Sequence, residues 1–223
     1  MRTIALSALV IAAASCGGTS STTAPTQLAP TMSFFVTSRT NTTGNLGGLR
    51  GADNRCQTLA NAAGVGNKFW HAYLSVERDP DNGNGPTDAR SRIGLGPWVN
   101  AKGITVANNV AELHARRGDF NVFIDEFGRP INGQWPGTPS PVEHDIMTGS
   151  NADGTLMRGF TCADWSSDSA DTFGQVGHSD GLGPGGDTSG ALSSWNSAHS
   201  NANCSNTAPR GGAGRIYCFA ITN

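Results

Sequence analysis

Lysine is nearly missing from this chain; Lys68 and Lys102 are its only two lysines. Charge of either sign is sparse: charged residues make up 14% and the formal net charge is −2. That balance excludes the basic field that draws nucleic acid or an anionic membrane surface onto a protein. Beyond residue 15 no apolar run is long enough to cross a bilayer. What the chain has instead is glycine, 30 residues of it, with abundant Ser, Thr and Asn. This is the composition of a loop-rich, near-neutral extracellular domain. Its length suffices for one domain of roughly 200 residues with a real core.

The cysteines divide into one and four. Arg2 followed by the apolar run Ile4 to Ala14 reads as a signal peptide over residues 1–15. It ends in Ala13-Ala14-Ser15-Cys16, which resembles the lipobox of bacterial lipoproteins, in which the cysteine is lipidated. Cys16 is therefore the expected lipidation site and membrane anchor. Gly17 after it favours the outer membrane, and the Gly/Ser/Thr/Pro-rich residues 16–31 read as a flexible tether. The remaining cysteines, Cys56, Cys162, Cys204 and Cys218, are even in number, as suits an oxidising compartment. Four cysteines allow three pairings, and spacing alone does not choose among them.

The domain, residues 32–223, opens with a strand near Met32 to Ser38. Ala52, Cys56, Leu59 and Ala63 recur at helical spacing, with Gly64 as the stop. Lys68 to Ser75 alternates as a strand, with Phe69, His71 and Tyr73 on one face and Trp70, Ala72 and Leu74 on the other. His71 reads as a packed strand residue. Thr87 reads as the cap of a short helix through Arg92. Asn109 and Glu112 have capping-box spacing for another through Ala115. Residues 121–131 suggest a hairpin, Leu156 to Trp165 a core strand, and Ile216 to Ile221 a closing strand. Residues 166–205 show almost no apolar periodicity and read as one long loop in need of a staple.

Several of these segments carry a family likeness. Gly47-Gly-Leu-Arg-Gly-Ala-Asp-Asn-Arg-Cys-Gln-Thr-Leu-Ala, followed by Trp70-His-Ala-Tyr-Leu-Ser, resembles the opening of endostatin, the C-terminal domain of certain collagens. Thr148-Gly-Ser-Asn-Ala-Asp-Gly and Thr161-Cys-Ala-Asp-Trp are similar to a later segment of it. Gly174-Gln175, Cys204 and Arg215-Ile-Tyr-Cys218 match its last third in order. Similar domains occur in bacterial lipoproteins. The resemblance implies an α+β, C-type-lectin-like fold: a mixed twisted sheet, flanking helices and a long loop region. It also implies two nested disulfides, Cys56 to Cys218 and Cys162 to Cys204.

Functional sites carry over less completely. Endostatin holds zinc with histidines near its N-terminus, and here no histidine precedes His71. Endostatin binds heparan sulfate through arginine clusters, and this chain has Arg90, Arg92, Arg116 and Arg117 close in sequence, although its balance is slightly acidic. Trp195-Asn196 precedes Cys204 as in the calcium motif of true C-type lectins, but Ser197 stands in place of the aspartate. Asp79, Asp81 and Asp88 form an oxygen-rich loop and are the calcium candidates, although the register is not that of an EF-hand. Gly177-His-Ser-Asp-Gly181 has the Gly-x-Ser-x-Gly pattern of serine hydrolases, with His199 or His144 as the candidate base. The Gly-Leu-Gly-Pro-Gly-Gly that follows cannot form the helix such an elbow requires. His144-Asp145 and His178 lack the close spacing of zinc motifs.

The reading is a lipid-anchored cell-surface protein, not an enzyme, that recognises a glycan or an extracellular protein. Its binding face is expected on residues 166–203, Trp135, Trp195, Asn196 and the Asp79 to Asp88 insertion. No cofactor is expected, calcium being the one candidate. A structural envelope lipoprotein is the alternative, and a serine hydrolase using Ser179 ranks last.

Overall fold

The computed structural model describes residues 28–221. The signal-peptide run, Cys16 and most of the expected tether lie outside the described residues. Within them no helix is long and apolar enough to cross a membrane. Residues 28–31, assigned to the tether from sequence, are part of the domain. Leu28 packs on the core and the Ala29 N–H donates to Ala101 O at 2.9 Å.

The strands in chain order are β1 (Phe34–Val36), β2 (Phe69–Ala72), β3 (Val76–Asp79), β4 (Gly85–Thr87), β5 (Trp98–Val99), β6 (Thr105–Ala107), β7 (Asp145–Met147), β8 (Gln175–His178), β9 (His199–Ser200) and β10 (Gly212–Ile221). The helices are α1 (Gly48–Ala62) and α2 (Val110–Ala115). The main sheet runs β1-β10-β7-β8-β9, with β2 also on β10. Cys218 pairs with both Phe35 of β1 and Ala72 of β2, so those strands flank β10 on opposite edges. β7 lies parallel to β10, and β8 and β9 follow antiparallel. The fold class is therefore mixed α+β, with few helices and a mixed sheet.

Alternation along β10 divides the core in two. Ile216, Cys218 and Ala220 enter one cluster with Trp70, Trp165 and the buried stripe of α1, Ala52, Cys56 and Ala60. Tyr217 and Phe219 enter the other, with Phe34, Tyr73, Trp98, Phe123 and Trp195. In this second cluster Phe123 stacks on Trp195 at 5.5 Å, and the Tyr217 hydroxyl donates to Trp195 O at 2.6 Å. Two disulfides, Cys56–Cys218 and Cys162–Cys204, staple the domain. Each contributes about 2–4 kcal/mol, largely through the unfolded state.

Several local expectations hold. α1 carries Cys56, Gly64 beyond it adopts φ +78°, and Asn109 caps α2 by accepting from Glu112 N at 2.9 Å. Other segments differ. The short helix after Thr87 is a single 3-10 turn, Ala89–Ser91, preceded by Asp88. Residues 121–131 form only one bridged pair, Ile124 with Pro130.

The expected core strand Leu156 to Trp165 is bent into loops and ends in a left-handed turn. Cys162, Ala163, Asp164 and Trp165 all have φ between +48° and +63°. Side-chain anchors hold this turn where sterics alone disfavour it. Thr161 Oγ1 accepts from Asp164 N, the Asp164 carboxylate accepts from Glu77 N and Arg78 N, and Trp165 Nε1 donates to Ser75 O.

The expected loop 166–205 contains β8 and β9. Every residue of β8 is buried. A strand covered on both faces shows no alternation, and polar residues take its interior positions, which is why the pattern is silent there.

Candidate functional site

β7, β8 and β9 bring together side chains that are far apart in sequence. His144 stands just before β7 and Asp145 is its first residue. Asp145 faces His178 directly across the β7–β8 ladder. Val176, two residues before His178 and on the same face, pairs with His199 of β9, which sets His199 diagonally beside His178. The His144 and His178 rings stack at 4.4 Å and 10°.

Each Nδ1 of this trio has its own acceptor. The His144 Nδ1 donates to Asp180 Oδ1 at 2.7 Å, His178 Nδ1 to Leu192 O at 2.8 Å, and His199 Nδ1 to Ser200 O at 2.9 Å. A carbonyl oxygen only accepts, so His178 and His199 each carry a proton on Nδ1, and Nε2 is the atom left to face the centre of the cluster. Those three Nε2 atoms converge on one carboxylate. His144 Nε2 and His178 Nε2 lie 3.4 Å from Asp145 Oδ1, and His199 Nε2 lies 3.6 Å from Asp145 Oδ2. Asp145 is 1% exposed, and neither of its oxygens accepts a hydrogen bond. A buried carboxylate without a partner costs several kcal/mol.

Protonation follows from this burial. Burial pushes the Asp145 carboxyl up to about 6, although His199 and His144 pull the other way. Burial, then the neighbouring His144 and His199, pushes His178 down to about 4. Burial also pushes Asp180 up. The His144 hydrogen bond and charge and the N–H groups of Gln134 and Leu182 more than reverse that, and its carboxyl ends below the usual range. Asp180 can accept from Gln134 only because residue 133 is glycine; a Cβ there would sit 2.1 Å from Asp180 Oδ2.

The cluster forms the wall of a cavity of about 320 Å³, completed by Gln134, Pro184, Leu192 and Arg210. Larger, more open clefts lie beside Glu77 and Phe173 and beside Asp79 and Asp81. Among the described residues, His144, Asp145 and His178 are the group whose ligand atoms lie close enough to hold one metal ion, all within 4.8 Å of one another. His199 Nε2 stands next to that group, 2.9 Å from His178 Nε2, without being part of it. Such a buried His/Asp group can bind a metal.

The residues expected from sequence sit elsewhere. Asp79 accepts from Asp81 N at 3.0 Å and from Thr87 Oγ1 at 2.8 Å. Asp81 pairs with Arg50, and Asp88 accepts from Leu156 N. These carboxylates hold three different segments together and do not share a calcium-type cage. Trp195 has no exposed surface and donates from Nε1 to Leu113 O, so its ring offers no face to a sugar. Asn196 is buried, with its amide donating to Tyr73 Oη and Asn151 O. Trp135 is half-buried and stacked on Phe120 at 5.1 Å, and the adjacent Gln134 lines the histidine cavity. Arg92 is committed to Asp53 at 2.7 Å, which takes it out of any heparin-type patch.

Ser179 is buried, and Gly181 in the left-handed region (φ +68°) leads to a 3-10 turn, not to a helix. The nucleophile elbow is absent at this motif. Its two flanking residues, His178 and Asp180, belong to the histidine cluster. The sequence held one signal for that cluster: His144-Asp145 and His178-Ser-Asp180 repeat the same pair of residue types in segments that prove to be neighbouring strands.

No protein-family model matches the chain, and no curated protein matches it.

Proposed function

We propose that this is an extracytoplasmic binding domain whose working centre is a divalent transition-metal site formed by His144, Asp145 and His178, with His199 beside it. The observation that carries this reading is the convergence of three Nε2 atoms on a buried carboxylate that lacks any hydrogen bond. Imidazole and carboxylate suit zinc and its neighbours, whereas calcium takes oxygen ligands alone. A tetrahedron with bonds of about 2.1 Å has edges of roughly 3.4 Å, and His144 Nε2 and His178 Nε2 each lie 3.4 Å from Asp145 Oδ1. The acceptors on Nδ1, Asp180 above all, are the outer partners that zinc-binding histidines ordinarily have.

The wider setting belongs to the same proposal. The nested disulfides support an endostatin-like, C-type-lectin-like fold and an oxidising compartment. The lipobox-like sequence supports attachment of Cys16 to a bacterial outer membrane. On this reading the domain recognises a glycan or protein ligand at the cell surface by binding, without catalysis.

Equilibrium dialysis of the purified protein against Zn²⁺, followed by elemental analysis, tests the centre. One equivalent is expected, and it should disappear in Asp145→Asn and His178→Ala. Equal zinc uptake by both variants and the parent rejects the site.

A further inference from the structure

The cavity beside the cluster carries a statement about what the metal would meet there. This rests on the metal reading above. His199, on the cavity side, is 28% exposed, whereas His144, His178 and Asp145 are sealed at 3%, 2% and 1%. Among the described residues an approach to the centre therefore runs through the cavity, past His199.

Charge decides what kind of group takes that approach. A divalent ion is offset by two buried carboxylates, Asp145 as ligand and Asp180 behind His144. Arg210 then adds a positive charge at the mouth. Its guanidinium donates a hydrogen bond to Ser200 O at 3.2 Å. Its backbone sits in the left-handed region (φ +67°), and Gly211 after it lies against the His144 ring, 3.2 Å from Cδ2 to where a Cβ would stand. The rest of the lining splits by chemistry: Gln134 is polar, whereas Pro184 and Leu192 are apolar. A volume of about 320 Å³ is at the lower end for small-ligand sites.

We infer that the metal centre is open toward this cavity and takes a small monocarboxylate, with the carboxylate on the metal and beside Arg210 and its compact apolar body against Pro184 and Leu192. Three protein ligands leave a zinc or cobalt ion a fourth position for a group of this kind. No bond is made or broken in the ligand.

The test uses cobalt as the probe metal. The full protein is loaded with Co²⁺, its d–d absorption is recorded, and benzoate, acetate and inorganic phosphate are titrated in turn. A saturable spectral change is expected with benzoate, at least tenfold tighter than with acetate, and weaker still with phosphate. Arg210→Gln should weaken benzoate at least tenfold. Leu192→Trp, which fills the cavity from its apolar side, should weaken it independently. Cobalt content measured in the same samples separates a lost anion site from a lost metal. A protein that holds one cobalt but whose spectrum no carboxylate moves has a closed, structural centre, and the inference is overturned. Preference for phosphate over benzoate overturns the carboxylate assignment. A protein that takes up no cobalt overturns the metal reading and this one together.

Discussion

His178 Nε2 lies 2.9 Å from His199 Nε2, while the Nδ1 of each ring donates to a backbone carbonyl. Two neutral rings so fixed present lone pairs to each other, which repel. A proton on one ring or a shared cation removes the repulsion. Burial holds His178 down near 4, which weighs against a proton there.

Zinc should therefore stabilise the fold. At a free concentration of a hundred times Kd, binding to the native state alone contributes about 2.7 kcal/mol. For a domain of this size that is a rise in Tm of roughly 5–10 °C. Scanning calorimetry with Zn²⁺ and then with EDTA checks it. An unchanged Tm in both would leave the cluster without a ligand.

Asp145→Asn should separate stability from binding. In the metal-free protein Asp145 titrates near 6 when folded, against about 3.9 unfolded. Between those values the folded state holds the extra proton, so stability falls as pH rises, and the penalty is complete above pH 6. His178 acts oppositely: its folded value near 4 lies below the unfolded 6.5, so stability rises from pH 4 to 6.5. The substitution removes the falling contribution. In EDTA the variant should gain on the parent as pH rises, by on the order of 2–3 kcal/mol at pH 7.5. Urea unfolding at pH 4.5 and 7.5 measures this, and a constant difference would contradict the assignment.

Asp180→Asn should weaken zinc about 10–100-fold without abolishing it, because Asp180 orients His144 and does not reach the ion. Gly133→Ala should shift zinc affinity in the same direction, since its Cβ collides with the Asp180 carboxylate. Competition with a chromogenic chelator reports both affinities. A Gly133→Ala protein with parental affinity would mean that Asp180 can move without disturbing His144.

Trp195→Ala should cost about 3–5 kcal/mol, the penalty for emptying an aromatic site in a core. Ligand recognition at the surface should not depend on Trp195 in any variant that still folds. Chemical denaturation gives the first number, and a Trp195→Phe protein with parental stability would contradict the packing account.

Cys162→Ala/Cys204→Ala should lower stability by about 2–4 kcal/mol. It should also loosen the left-handed turn that ends at Trp165. Amide exchange across residues 161–166 follows that turn, and unchanged protection there would show that the Thr161 and Asp164 hydrogen bonds suffice.

Local chemistry explains what could be read early. α1 announces itself because its buried residues recur at one helical spacing, and the cap at Asn109 because an Asx side chain and a glutamate three residues on need only each other. An even count of cysteines made a stapled domain legible, whereas the α+β class and the nested pairing were implied by the resemblance. The left-handed turn at Cys162 was not legible, because bonds from Glu77, Arg78 and Ser75 hold it.

By itself the sequence determined a near-neutral, glycine-rich domain with one helix bearing Cys56 and a closing strand bearing Cys218. Those features depend on composition and on neighbours a few residues away. Only the tertiary structure decided that His144, Asp145, His178 and His199 meet. Their meeting depends on the pairing of β7 with β8 and of β8 with β9, and backbone hydrogen bonds between distant segments leave no period in the residues they join.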